Sequence, residues 1–137
     1  MNTTIPQNGV LMSIDYGTRK TGLAISDSQQ TFALPLGVIH TQSPLQVIIK
    51  KLQEYNVVGC IIGWPLNANG TKGQQCMITE EFTKQLLKYC NLPIIYQDER
   101  FSSIYTTLTY NQNDDSITAM TILNEFLETR IQQIHRE

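Results

Sequence analysis

The sequence predicts an α/β fold built on one central mixed five-stranded sheet flanked by helices. Three observations carry this. The elements read in the order βββαβαβα, which places paired strands first and strand-helix alternation after. The run Val57 to Gly63, VVGCIIG, is continuously apolar, as in a strand covered on both faces of a parallel sheet. The longer segments between and after such runs repeat their apolar residues at helical spacing. At 137 residues, with 41% hydrophobic and 16% charged residues, the chain suits a single domain with its own core. Residues 1–8, MNTTIPQN, are expected as a flexible N-terminal tail.

VLMSID (10–15) and TGLAIS (21–26) are strands joined by a short turn, and TFALPLGVI (31–39) is a third. Pro35 assigns the third to a sheet edge, because proline cannot donate to a ladder. SPLQVIIKKLQEYN follows as a helix with Ser43 as a cap, Pro44 in the first turn and one stripe of Leu45, Ile48, Ile49, Leu52 and Tyr55. After VVGCIIG comes the turn-rich loop WPLNANGTKG (64–73), then a helix from Gln74 to Tyr89. PIIYQ (93–97) is the fifth strand. A polar segment runs to Asn113, and DSITAMTILNEFLETRIQQI (115–134) is the last helix.

The longest apolar runs, VVGCIIG and AMTIL, are too short to span a bilayer. The N-terminus lacks the basic start and apolar stretch of a signal peptide, so a cytoplasmic protein without membrane partners is expected. Cys60, Cys76 and Cys90 are odd in number and widely spaced, fitting neither a disulfide framework nor a zinc knuckle. They read as reduced packing residues. A formal charge of −2 provides no global attraction to nucleic acid, so such binding requires a local cationic patch.

Acids stand at element ends in three places. Asp15 closes the first strand, Asp98 and Glu99 follow the fifth, and Asp114 and Asp115 begin the last helix. Ligands of open α/β sheets gather beyond the carboxyl ends of parallel strands, so the first two groups can share one crevice, and the third joins them if its helix packs across that end. Taken singly, each has an ordinary alternative: a turn residue at Asp15, a surface ion pair of Asp98 or Glu99 with Arg100, and a helix-start charge at Asp114 or Asp115. Their conjunction favours a site. Converging carboxylates repel unless a cation compensates them, and oxygen donors suit Mg²⁺ or Mn²⁺. A pair of such ions roughly 4 Å apart would clamp the attacking and leaving oxygens of a phosphodiester displacement.

From VLMSIDYGTRKTGLAISD through IIGWPLNANGTKG and DERFSS to DSITAMTILNEFLE, the sequence resembles the YqgF family, relatives of the RuvC resolvases. The resemblance implies an RNase H-like fold with strand order 3-2-1-4-5. It also implies a divalent-metal-dependent endonuclease tied to maturation of the 16S rRNA 5′ end and, as an alternative, to Holliday-junction resolution. The implied acidic triad falls on Asp15, Glu99 and Asp115, with Asp98 as substitute and Asp27 and Asp114 as neighbours. Gly17, Thr18 and Arg19 belong to the first motif. WPLNANGTKG is similar to the family's GLPLN-x-x-G-T segment, offering Asn67, Gly70, Thr71 and Lys72 toward a phosphate backbone; a plain surface turn is the alternative. Arg19, Lys20, Lys72 and Arg100 would form the cationic patch, with solvated surface charge the alternative for each.

The segment between Glu99 and Asp115 is shorter than is usual in that family and carries no basic loop. A catalytically weak RNA or ribosome-assembly binding module is therefore a rival reading. The expected partner is structured RNA, pre-16S rRNA foremost, or branched DNA. The expected assembly is a monomer or weak homodimer.

Overall fold

The computed structural model describes residues 1–98 and 115–136, with side chains described to Arg130. Eight elements occupy them: β1 (Leu11–Asp15), β2 (Thr21–Ser26), β3 (Ala33–Ile39), α1 (Leu45–Glu54), β4 (Gly59–Trp64), α2 (Gln74–Leu87), β5 (Ile94–Asp98) and α3 (Asp115–Arg136). The strands form one sheet in the order β3-β2-β1-β4-β5. β1 pairs antiparallel with β2 and parallel with β4, β4 pairs parallel with β5, and β2 pairs antiparallel with β3. The sheet is thus mixed, and β3 with its Pro35 lies on an edge as expected.

The two-residue alternation of the strands separates two cores. Met12, Ile14, Cys60, Ile62 and Ile94 point to one face, where Ile48 and Leu52 of α1 and Phe82 and Leu86 of α2 cover them. Leu11 and Ile61 point to the other, against Ile122, Leu123 and Leu127 of α3. Ser13 shares that second face, and its hydroxyl donates to the Ala119 carbonyl of α3 at 2.6 Å, satisfying a fully buried polar strand residue. Such burial of β1 on both sides is why its sequence is apolar almost throughout.

Three sequence expectations are corrected. The first eight residues are tied down rather than free: Ile5 is buried, Asn2 accepts a bond from Ile94 N–H at 2.8 Å, and Arg130 binds the Ile5 and Pro6 carbonyls. Burial of one apolar side chain and satisfied carbonyls outweigh the polar composition of the segment. Strand β3 begins at Ala33 instead of Thr31, because the Thr31 and Phe32 amides donate to the Asp27 carboxylate at 2.7 and 3.1 Å. The Ser43 side chain does not cap α1; Pro44 occupies the cap position, and no side-chain cap bond forms there.

Candidate active site

The parallel strands β1, β4 and β5 all deliver their carboxyl ends to one edge of the sheet, at Asp15, Trp64 and Asp98. Along β1, Leu11, Ser13 and Asp15 alternate onto the face that α3 covers, so the carboxylate of Asp15 is directed to the side from which Asp115 approaches. Asp15 is the β-ladder partner of Gly22 on β2. A Cβ at Gly22 would collide with the backbone carbonyl of Asp115. The start of α3 therefore rests directly on the strand residue opposite Asp15. Only glycine permits that approach.

The result is an open cleft of about 360 Å³ lined by Asp15, Tyr16, Gly17, Thr18, Arg19, Lys20, Gln75 and Asp115. Two carboxylates from residues 100 positions apart thus meet the β1–β2 turn. Lys20 Nζ lies 3.6 Å from Asp115 Oδ2. Among the described residues, no three His, Cys, Asp or Glu side chains converge as a metal-ligand set. Tyr16 forms the cleft wall on the other face of the sheet, stacked on Phe82 of α2 with ring centroids 4.3 Å apart. Gly17 N–H and carbonyl both lie 3.5 Å from the Thr21 hydroxyl, which closes the turn.

The remaining sequence candidates distribute differently. Asp98 follows Ile94 and Tyr96 in strand alternation and so belongs to the face covered by α1 and α2, opposite that of Asp15. Asp27 is not a neighbour of Asp15: β2 runs antiparallel, Asp15 pairs with Gly22, and Asp27 lies beyond the far end of that strand. Burial works to raise the Asp27 carboxyl, but the bonds from Phe32 and Thr31 together outweigh it and hold the group below the usual carboxylate range. Its role is to close the β2–β3 turn.

Asn67, Gly70, Thr71 and Lys72 do not line the cleft. Asn67 Nδ2 donates to Thr71 Oγ1 at 3.1 Å, Thr71 Oγ1 donates to Asn69 Oδ1 at 2.7 Å, and Gly70 adopts φ +87°. These groups hold the loop to itself. Lys72 Nζ sits 5.6 Å from the centre of the Trp64 ring, and Trp64 in turn packs on Tyr96. The loop nevertheless leads through Gly73 into α2, whose second residue, Gln75, reaches the cleft. Glu99, Arg100 and Asp114 lie outside the described residues.

Gln75, Tyr16 and Gly22 were missed as site residues by sequence reasoning. Gly22 did leave a signal: a glycine inside an apolar strand marks close backbone approach. Gln75 left none. Cys60 is fully buried, and burial pushes its thiol far up, so it is a packing residue. No helix among the described residues is long and apolar enough to cross a membrane.

Strand order and pairing, with helices on both faces of the sheet, define an RNase H-like fold. Thermus thermophilus RuvC, solved in complex with a Holliday junction substrate, superposes with a TM-score of 0.59 over 90% of this chain and 96% of that one, at 12% identity. A second Thermus thermophilus RuvC structure gives 0.58. Residues 9–129 match the family model RuvX, described as Holliday junction resolvase, and the chain belongs to this family. It is accordingly a nuclease, an enzyme of the hydrolase class. Proteins named "Putative pre-16S rRNA nuclease" from Rickettsia bellii and Rickettsia canadensis are 34% and 32% identical to it, each over 89% of this chain and 88% of the relative.

Proposed function

We propose that the chain is a divalent-metal-dependent endonuclease that hydrolyses phosphodiester bonds of structured RNA, trimming the 5′ end of pre-16S rRNA. The observation that carries this reading is the meeting of Asp15 and Asp115 in one open cleft beside the cationic β1–β2 turn. The relatives' shared name supports RNA as the substrate class.

The donor chemistry fits Mg²⁺ or Mn²⁺. Both described acids offer hard oxygen donors, and a cation, the Lys20 ammonium, already lies against one of them. Glu99 joins the proposed set on sequence spacing alone, two positions beyond Gln97, the last described β5 residue on Asp15's face. When bound there, divalent ions would supply an activated water and charge stabilisation for the leaving oxygen. The chain's own part is to hold and orient. Asp15 is fixed by its place in the β1 ladder, and Asp115 by the packing of α3 on Gly22. Arg19 and Lys20 supply the charge that draws a phosphate into the cleft, and Gln75, which also lines it, offers an amide.

A second reading, cleavage of branched DNA, is favoured by the family description. Catalytic acids address phosphates rather than bases, so both substrates suit the same chemistry. Purified protein should be offered a pre-16S leader RNA and a four-way DNA junction with Mg²⁺ or Mn²⁺. Cleavage of the RNA alone is expected; cleavage of the junction alone would overturn the assignment. Asp15→Asn should lose more than the roughly 10- to 100-fold that removal of an outer-shell metal partner costs, with the fold retained by circular dichroism. Undiminished metal-dependent cleavage by that variant would remove Asp15 from the site.

A further inference from the structure

The cleft contains its own compensating cation. Lys20 reaches Asp115 Oδ2 at 3.6 Å, with the lysine side chain 46% and the aspartate side chain 25% exposed. Thr21, the next residue, is fully buried at the start of β2, which fixes the backbone from which Lys20 extends. The ammonium thus has one anchored end and four rotatable methylenes through which the other can leave. Asp115 is less able to move, because its backbone is wedged against Gly22.

We infer that Lys20 is a displaceable internal counter-ion: it neutralises Asp115 in the metal-free enzyme, is displaced from that carboxylate when a divalent cation binds, and thereby weakens metal affinity while protecting the empty site. This rests on the metal-dependent reading above. The physical reason is competition for one carboxylate. A divalent ion and an ammonium cannot both take the same oxygen, so each lowers the apparent affinity of the other. Because the pair is substantially exposed, its strength is that of a partly solvated ion pair, which limits the penalty to about two- to fivefold in metal affinity. Once displaced, the same ammonium is positioned on the cleft rim for a substrate phosphate, beside Arg19. Lys20 is therefore a positioning and tuning residue.

The test is Mn²⁺ titration by calorimetry of the full chain, comparing wild type, Lys20→Met, Lys20→Arg and Asp15→Asn, with thermal melting of each with and without the ion. Lys20→Met should bind Mn²⁺ about two- to fivefold tighter than wild type, melt lower without metal and show the larger metal-induced rise. Lys20→Arg keeps the charge and should retain wild-type affinity. If wild type binds Mn²⁺, Asp15→Asn does not, and Lys20→Met binds no more tightly than wild type, the metal site stands and the counter-ion role is overturned. If neither wild type nor Lys20→Met binds, the metal-dependent reading itself falls, and the role with it.

Discussion

Gly22 is the position on which the site's geometry turns. Any Cβ there meets the Asp115 backbone, and neither side can retreat cheaply, since Gly22 is in the β1–β2 ladder and Asp115 begins a helix packed across the sheet. Gly22→Ala should therefore lift the start of α3 from the sheet. Overpacking of this kind costs typically 1–3 kcal/mol, and a backbone clash puts this case at about 3 kcal/mol. Denaturant unfolding would measure it, and nuclease activity should fall even where the protein remains folded. Wild-type stability and activity in Gly22→Ala would show that the helix start tolerates displacement. Asp27 provides a second test at this scale. Its carboxyl is held below the ordinary range, so its charge contributes stability above the unfolded value of about 4, and that contribution disappears as pH falls through the lower folded value. Asp27→Asn should accordingly be less stable than wild type near neutrality, with the deficit shrinking as pH falls through the lowered folded value, read as the difference in unfolding midpoint across pH.

Elements are joined here by a few polar residues that no periodicity announces. Arg130 of α3 donates to the Pro6 carbonyl at 2.9 Å, to the Ile5 carbonyl at 2.6 Å and to Gln30 Oε1 at 3.0 Å, while its guanidinium lies 5.6 Å from the centre of the Phe126 ring. Gln30, buried with φ +57°, also donates to the Pro6 and Gly9 carbonyls. One arginine thus couples the N-terminal segment, the β2–β3 turn and the last helix. Arg130→Ala leaves the buried Gln30 oxygen and two carbonyls without this donor, and should destabilise the fold by about 2–4 kcal/mol in denaturant unfolding. Arg130→Lys should recover part of that, because one ammonium can replace some but not all of the planar donors. A loss below about 0.5 kcal/mol would mean that the N-terminal segment contributes little to the folded state. The sequence reading assigned residues 1–8 to a tail because their own composition is polar; the partners that hold them stand more than 20 positions away, where local pattern has no reach.

The molecule as a whole divides by the range of the forces that build it. The sheet, its three covering helices and the edge position of β3 were legible, because they follow from hydrophobic periods of two and 3.6 and from proline's missing donor. Asp15 stood out because a carboxylate interrupts that pattern, whereas Asp115 read singly as an ordinary helix-start charge, able to join Asp15 only if its helix packs across the strand ends. What was not legible is which polar residues turn inward. Asn67 and Thr71 have the composition of a phosphate loop, yet they bind each other and Asn69. Lys20 had solvated surface charge as its alternative, like the other candidate cations, yet it reaches Asp115. This redistribution bears on binding to nucleic acid. The chain carries a formal charge of −2, so attraction requires a local cationic patch, whose candidates among the described residues are Arg19 and Lys20 in the cleft and Lys72 on the adjoining loop by Trp64. If these make the phosphate contacts, neutralising three phosphates gives a slope of log K against log salt of about −2 on single strands and about −3 on a duplex. Fluorescence anisotropy with a catalytically silenced Asp15→Asn protein, over a series of KCl concentrations, would measure it. Arg19→Ala should reduce the slope by about one, since each cation removed leaves one set of counter-ions in place. A wild-type slope near −6, unmoved by Arg19→Ala, would locate the binding face away from the cleft, because three cations cannot release that many ions.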